Sequence, residues 1–244
     1  MVVKVNIVLV HGAFHGGWCW AKTADILRQR GAGVFTPTLT GLADKKHLFS
    51  PSVNLATHVQ DIVNLIEYED LDGCVLVGHS YAGNVISGVG DQLRERVSHY
   101  IFMDASVPVN GSTSWGWASL LPARHQEMMR MIEEHGYSMM VPPFPPEAFG
   151  VTEPAMAERL KKLLTPMPIG CYTDAVPLNN CGTEGLVRSY IAAANPAYER
   201  MAETVKWISG DPDWTFRTID TCHDMMLTEP EKTADLIWDL ATCR

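Results

Sequence analysis

The stretch "VLVGHSYAGNVI", residues 75–86, constrains the fold of this chain more than any other. Its opening aliphatic run reads as a strand buried on both faces and its close as a helix, so the chain must turn within a few residues. Gly78, Ser80 and Gly83 keep the spacing G-x-S-x-G. In that motif the serine sits on a tight strand-to-helix turn with its hydroxyl directed outward, and the glycines let neighbouring segments close in. The helix that begins after Ser80 aims free N–H groups and the positive end of its dipole at an anion forming beside the hydroxyl. Ser80 is therefore a candidate nucleophile.

Apolar runs bounded by Gly, Pro or Asp alternate with amphipathic segments around this turn, as expected of β-α-β units and a parallel sheet covered on both faces. Strands are expected at 5–10, 33–36, 74–78, 100–103, 189–193 and 214–219. Between the second and third, Leu55, Val59, Ile62, Val63 and Ile66 recur at helical spacing and form a core stripe. The segment "TEPEKTADLIWDL" reads as the closing helix, with Thr228 as its N-cap and Leu236, Ile237 and Leu240 turned inward. From about 108 to 184 the alternation gives way to a Met-, Trp- and Pro-rich stretch, expected to be a mostly helical insertion that covers a substrate site.

With 244 residues and 46% hydrophobic content the chain can bury one substantial core. A single domain, 1–244, is expected, with its core in 1–107 and 185–244 and a cap at 108–184. The fold class is α/β: a doubly wound, mostly parallel sheet of about six strands with a helical cap insertion. A net charge of −9 argues against a nucleic-acid surface. The sequence holds no run of eighteen apolar residues and no recognisable leader at "MVVKVNIVLVHG", so no membrane partner and a cytoplasmic location are expected. The six cysteines show no CxxC pairing and read as free thiols. Cys222 precedes a candidate catalytic histidine, yet adjacent residues point in different directions, which favours packing.

Two further segments add chemistry. "IVLVHGAFHGGWCW" ends a strand at His11-Gly12, where a turn can present the N–H groups of Ala13 and Phe14 to an oxyanion together with that of Tyr81. His11 and His15 lie four apart, but Gly12 at a strand end precludes a helical metal pair, so a structural or site-lining role is expected and no metal. "RTIDTCHDMMLTEP" places His223 after the last strand, at the carboxyl edge that also carries Ser80, where an imidazole can serve as general base.

Taken together, "VHGAFHGGWCW", "GHSYAG", "YIFMDASVP" and "CHDMMLTEP" resemble the α/β-hydrolase superfamily, and within it small esterases similar to plant methylesterases and hydroxynitrile lyases. The resemblance runs over almost the whole chain. It implies a Ser-acid-His triad, no cofactor, a helical cap and often a homodimer. The lyases carry Thr and Lys where this chain has Gly12 and Asp224, which favours an ester hydrolase. A dehalogenase or epoxide hydrolase is disfavoured because those chemistries use Asp at the elbow.

In that family the acid follows the strand before the last, and the matching position here falls at Asn195 in "YIAAANPAY". An amide carries no charge to stabilise an imidazolium. Asp211 and Asp213 precede the last strand and fall at the wrong end of the sheet, and Glu199 falls within a helix. Asp104 ends the strand that follows the elbow helix, and a right-handed β-α-β unit sets that strand beside the one carrying Ser80. Asp104 is the preferred acid, with a Ser-His dyad supported by Asn195 or water as the alternative. The expected activity is cleavage of a small carboxylic or carbamic ester through an acyl-enzyme on Ser80, the small-molecule ester having an aromatic or bulky partner against Phe14, His15, Trp115 and Trp117. An aryl methyl carbamate hydrolase, a hydroxynitrile lyase and a slow-turnover binding protein are the alternatives.

Overall fold

The computed structural model describes residues 5–108, 122–136, 139–175, 178–180 and 182–242. Trp115 and Trp117 lie outside them. Six strands form one sheet: β1 (Asn6–Val10), β2 (Gly33–Phe35), β3 (Cys74–His79), β4 (Val97–Met103), β7 (Arg188–Ala193) and β8 (Thr215–Ile219). Their order is β2-β1-β3-β4-β7-β8 and every pairing is parallel. Each falls within two or three residues of an expected strand.

Period-two alternation divides the core between the two faces. Val8, Val10, Leu76, Tyr100 and Phe102 face the helix Leu55–Tyr68, whose Leu55, Val59, Ile62, Val63 and Ile66 are all buried as its spacing requires. Ile7, Leu9, Val75, Val77, Ile101 and Met103 face the helices Ala21–Gln29 and Pro230–Thr242. An Asn54–Thr57 capping box starts the Leu55–Tyr68 helix. Thr228 does not cap the last helix: it ends the one-turn helix Met225–Thr228, its hydroxyl donating to the Asp224 carbonyl at 3.2 Å. Pro230 opens the last helix instead, a position where its missing N–H costs nothing.

Between β4 and β7 lie the helices Pro122–His135, Pro154–Leu163 and Gly170–Thr173. They come with a feature absent from the helical expectation, a short antiparallel pair of β5 (Met140–Val141) and β6 (Met167–Pro168). Two or three residues of strand are too few for an alternation to be read.

The sheet order reverses between β1 and β3, because β1 leads to β2 on one side and the chain returns to β3 on the other. At such a switch the loops leaving the carboxyl ends diverge and open a crevice. The loop after β1 and the elbow after β3 both start there. The elbow is tight: a Cβ built on Gly83 would stand 1.8 Å from the Ser106 carbonyl oxygen, and one on Gly78 would stand 2.9 Å from that of Ala82. Gly83→Ala must push the backbone after β4 away from the elbow, so a loss of about 2 kcal/mol or more is expected. That corresponds to a fall in Tm of roughly 5 °C, and an unchanged thermal melt would contradict the close approach.

Candidate active site

The register that aligns β3 with β4 pairs His79 with Met103, so Ser80 and Asp104 are the next residues of neighbouring strands. Both leave the sheet in left-handed backbone, with φ of 55° at Ser80 and 42° at Asp104. Aspartate tolerates this region better than most residues; serine at an elbow is held there by its surroundings. The two turns lock together. Ser80 N–H donates to the Met103 carbonyl at 3.1 Å, and Ser106 N–H donates to the Ser80 carbonyl at 3.1 Å.

Asp104 is fully buried. Its Oδ1 accepts from the Ala193 N–H at the end of β7 at 3.3 Å, and its Oδ2 accepts from His223 Nδ1 at 2.6 Å. A charge-assisted bond of that length fixes the tautomer that leaves Nε2 as the basic nitrogen. Tyr198 stacks on the His223 ring with centroids 3.7 Å apart. Asn195, in contrast, is exposed, and its backbone N–H donates to the Thr221 carbonyl at 3.0 Å. Asp211 and Asp213 stand before β8, at its amino end. Glu199 begins a three-residue 3-10 turn, not a regular helix.

The loop after β1 is held by histidines. His11 Nδ1–H donates to the Gly12 carbonyl at 2.8 Å while its Nε2 accepts the Leu39 N–H at 3.0 Å. Burial pushes its pKa down to about 3, so His11 is neutral, as those two bonds require. His15 Nδ1–H donates to the Ala13 carbonyl at 2.8 Å, and its Nε2 lies 3.3 Å from Asp224 Oδ2. Burial alone would lower its pKa, but the Asp224 charge and hydrogen bond outweigh it and the net shift is upward. Asp224 is held below the carboxylate range by His15 against the opposing effect of burial. Among the described residues the N–H groups of Ala13, Phe14 and Tyr81 have no hydrogen-bond partner, and all three residues border the same cleft as Ser80 and His223. The Tyr81 phenol is anchored elsewhere, donating to His58 Nδ1 at 3.0 Å.

This cleft spans about 660 Å3, the open solvent at its mouth included. Phe14 and His15 line it, and Phe144, Phe149, Tyr172 and Tyr198 add an aromatic wall, with Arg200 at the side. The phenylalanines sit in "PPFPPEAFG", where aromatic residues among prolines are the only signal a reader would have. Cys222 packs beneath Gly150, and burial raises its pKa, which suits a packing thiol. The four cysteines among the described residues, Cys19, Cys74, Cys171 and Cys222, are free. No cluster of metal-binding side chains occurs among the described residues, nor a helix long and apolar enough to cross a membrane.

A strand-turn-helix serine, an acid-bound histidine and a loop of open N–H groups at one sheet edge match a known family. The model of the α/β hydrolase family matches residues 7–236. The chain belongs to this family. A "carbendazim hydrolyzing esterase" of Nocardioides sp. (strain SG-4G) is 34% identical over 240 residues, covering 94% of this chain and 97% of that one. The pheophorbidase of Raphanus sativus is 27% identical over 205 residues, covering 78% of this chain and 76% of its own. Among solved structures, an extracellular α/β-hydrolase from Paenibacillus species superposes with a TM-score of 0.83 at 22% identity, over 98% of this chain and 100% of that one. It is described as sharing structural and functional homology with tobacco salicylic acid binding protein 2. At that identity the likeness concerns the α/β-hydrolase fold alone.

The neutral His11 has a consequence for acid stability. Its folded pKa lies below the unfolded value of 6.5, so the unfolded state binds the extra proton and folding weakens as pH falls below that value. Between pH 6.5 and 5 this one group contributes a loss of about 2 kcal/mol. Urea unfolding of wild type and His11→Asn at pH 7 and pH 5 should show the wild type losing about that much more; equal losses would mean that His11 is not buried neutral.

Proposed function

We propose that this protein is a serine esterase that cleaves a small carboxylic or carbamic ester through an acyl-enzyme on Ser80. The coarse class, an ester hydrolase, rests on kinship with the Nocardioides esterase along nearly the whole of both chains. The finer reading rests on one observation: the 2.6 Å bond from buried Asp104 to His223, which lines the same cleft as Ser80.

Ser80 Oγ attacks the ester carbonyl carbon while His223 Nε2 takes its proton, and the buried Asp104 carboxylate stabilises the imidazolium that results. The oxyanion is received by the N–H groups of Tyr81 and of Ala13 and Phe14, preorganised before the charge appears. The tetrahedral intermediate collapses by expelling the alkoxide, which His223 protonates as it leaves. Water, deprotonated by His223, then attacks the acyl carbon, and the same steps release the acid and restore Ser80.

The aromatic wall favours a substrate with a flat or bulky apolar partner to a small alcohol, and the inserted segment that carries Phe144 and Phe149 acts as its cap. The Nocardioides relative is named for hydrolysing carbendazim, and aryl methyl carbamates, which undergo the same acyl transfer as methyl esters, stand beside them in the substrate class. The slow-turnover alternative draws its weight from the displaced acid. The 2.6 Å Asp104–His223 bond supports the hydrolase over it, and sustained turnover is what separates the two.

The test is a panel of p-nitrophenyl esters, aromatic methyl esters and aryl methyl carbamates, with intact mass after a fluorophosphonate probe. Wild type should turn over continuously and take one adduct on Ser80. Ser80→Ala should lose turnover and labelling, and Asp104→Asn should remain folded with kcat lowered by about 10⁴. Asp104→Asn within threefold of wild type would remove Asp104 from the mechanism, and an unlabelled wild type without turnover would remove the serine reading altogether.

A further inference from the structure

The loop after β1 has its three consecutive carbonyls pinned, each by a different donor. The Gly12 carbonyl accepts from His11 Nδ1 at 2.8 Å, that of Ala13 from His15 Nδ1 at 2.8 Å, and that of Phe14 from the Thr165 N–H at 3.0 Å. In a trans peptide the C=O and the following N–H point in opposite directions, so a clamp on one sets the other. His11 thus aims the Ala13 N–H and His15 the Phe14 N–H. Phe14 itself lies at φ 67°, a conformation that a phenylalanine keeps only where its surroundings over-determine it.

The middle clamp differs from the others because it leans on a carboxylate. Asp224, fully buried, has Oδ2 on His15 Nε2, while its Oδ1 has no hydrogen-bond partner among the described residues. A buried carboxylate with one oxygen unserved is a poor device for stability, since desolvation offsets most of what the ion pair contributes. The residue also directly follows His223, so its backbone belongs to the loop that carries the proposed base.

We propose that Asp224 and His15 form a positioning pair: the carboxylate holds the imidazole as a donor to the Ala13 carbonyl, and so fixes the Phe14 N–H in the oxyanion loop. What the loop is for rests on the serine-esterase reading above; the clamp does not. A charged donor on the carbonyl also polarises the peptide and strengthens the N–H at its other end. Oxyanion donors act on the charge that develops in the transition state, so losing this alignment lowers kcat and leaves KM nearly unchanged. The titratable groups facing His15 are Asp224 at 3.3 Å and His79, edge-on with ring centroids 6.4 Å apart. His11 lies on the same loop, and His223 precedes Asp224 in the chain. Trp18 and Phe149 supply the remaining ring contacts.

The experiment is Asp224→Asn, which keeps the shape and an oxygen for His15 but removes the charge. Rates are expressed per fluorophosphonate-reactive site, and the His15 imidazole is followed by 15N NMR across pH. The expected result is a ten- to hundredfold fall in kcat with KM within threefold, a melting temperature close to wild type, and a His15 titration midpoint moved to lower pH. Asp224→Glu, which restores the charge, should recover part of the kcat. If Asp224→Asn does not fold, the double variant His15→Asn/Asp224→Asn leaves no buried ion alone and must show the same loss. A folded variant with kcat within threefold of wild type, or an unmoved His15 midpoint, overturns the proposal. Ser80→Ala run alongside separates the two readings. Surviving turnover there sinks the nucleophile assignment, whereas an inactive Ser80→Ala beside an undiminished Asp224→Asn sinks the positioning pair alone.

Discussion

The bond between Asp104 and His223 is the constraint around which the sheet edge is arranged. It joins the end of β4 to the loop after β8 across the end of β7, which contributes the Ala193 N–H to the same carboxylate. Burial makes a carboxylate costly unless its oxygens are occupied, and on Asp104 both are. The strand order, the parallel register and the turns at Ser80 and Asp104 are what bring these groups within reach. Moving β4 by one residue against β3 would reverse the face of every side chain on it and carry Asp104 away from His223.

Charge in the site is distributed with little left unopposed. His11, His58 and His79 are pushed towards the neutral form mainly by burial, while two carboxylates, Asp104 and Asp224, each hold one imidazole. His79 illustrates how close the packing is: its Nε2 bonds the His223 carbonyl at 3.0 Å, and a Cβ on Gly12 would come within 2.8 Å of its Nδ1. A glycine is therefore required where the first-strand loop crosses the elbow.

The sheet and the chemical groups at its edge were legible in the sequence because both rest on local rules. Apolar runs and period-3.6 stripes located the strands and the Leu55–Tyr68 helix, and the adjacency of consecutive β-α-β strands set Asp104 at the sheet edge beside Ser80. The cleft wall was not legible. Phe144, Phe149 and Tyr172 reach the cleft from a segment whose path is set by contacts with the sheet edge, not by any repeat of its own, and the tryptophans first expected there fall outside the described residues. The Asp224–His15 contact was equally invisible, since 209 residues separate the partners and neither stands in a periodic pattern. Thr228 failed as a cap because a one-turn helix intervenes before Pro230.

On the serine-esterase reading proposed above, an acid at the end of β4 frees the loop after β7 from a duty it would otherwise carry. Residues Asn195 to Arg200 now supply a ring stacked on His223 and an arginine whose guanidinium lies 4.7 Å from the Phe144 ring centroid. Tyr198 and Arg200 of that loop line the cleft, and on the proposed reading the loop supplies no acid to His223. On that reading, sequence drift or deliberate library design in that loop, with Tyr198 kept on His223, would reshape what enters the cleft while Ser80, His223 and Asp104 stay as they are, so that selectivity and reactivity become separately variable.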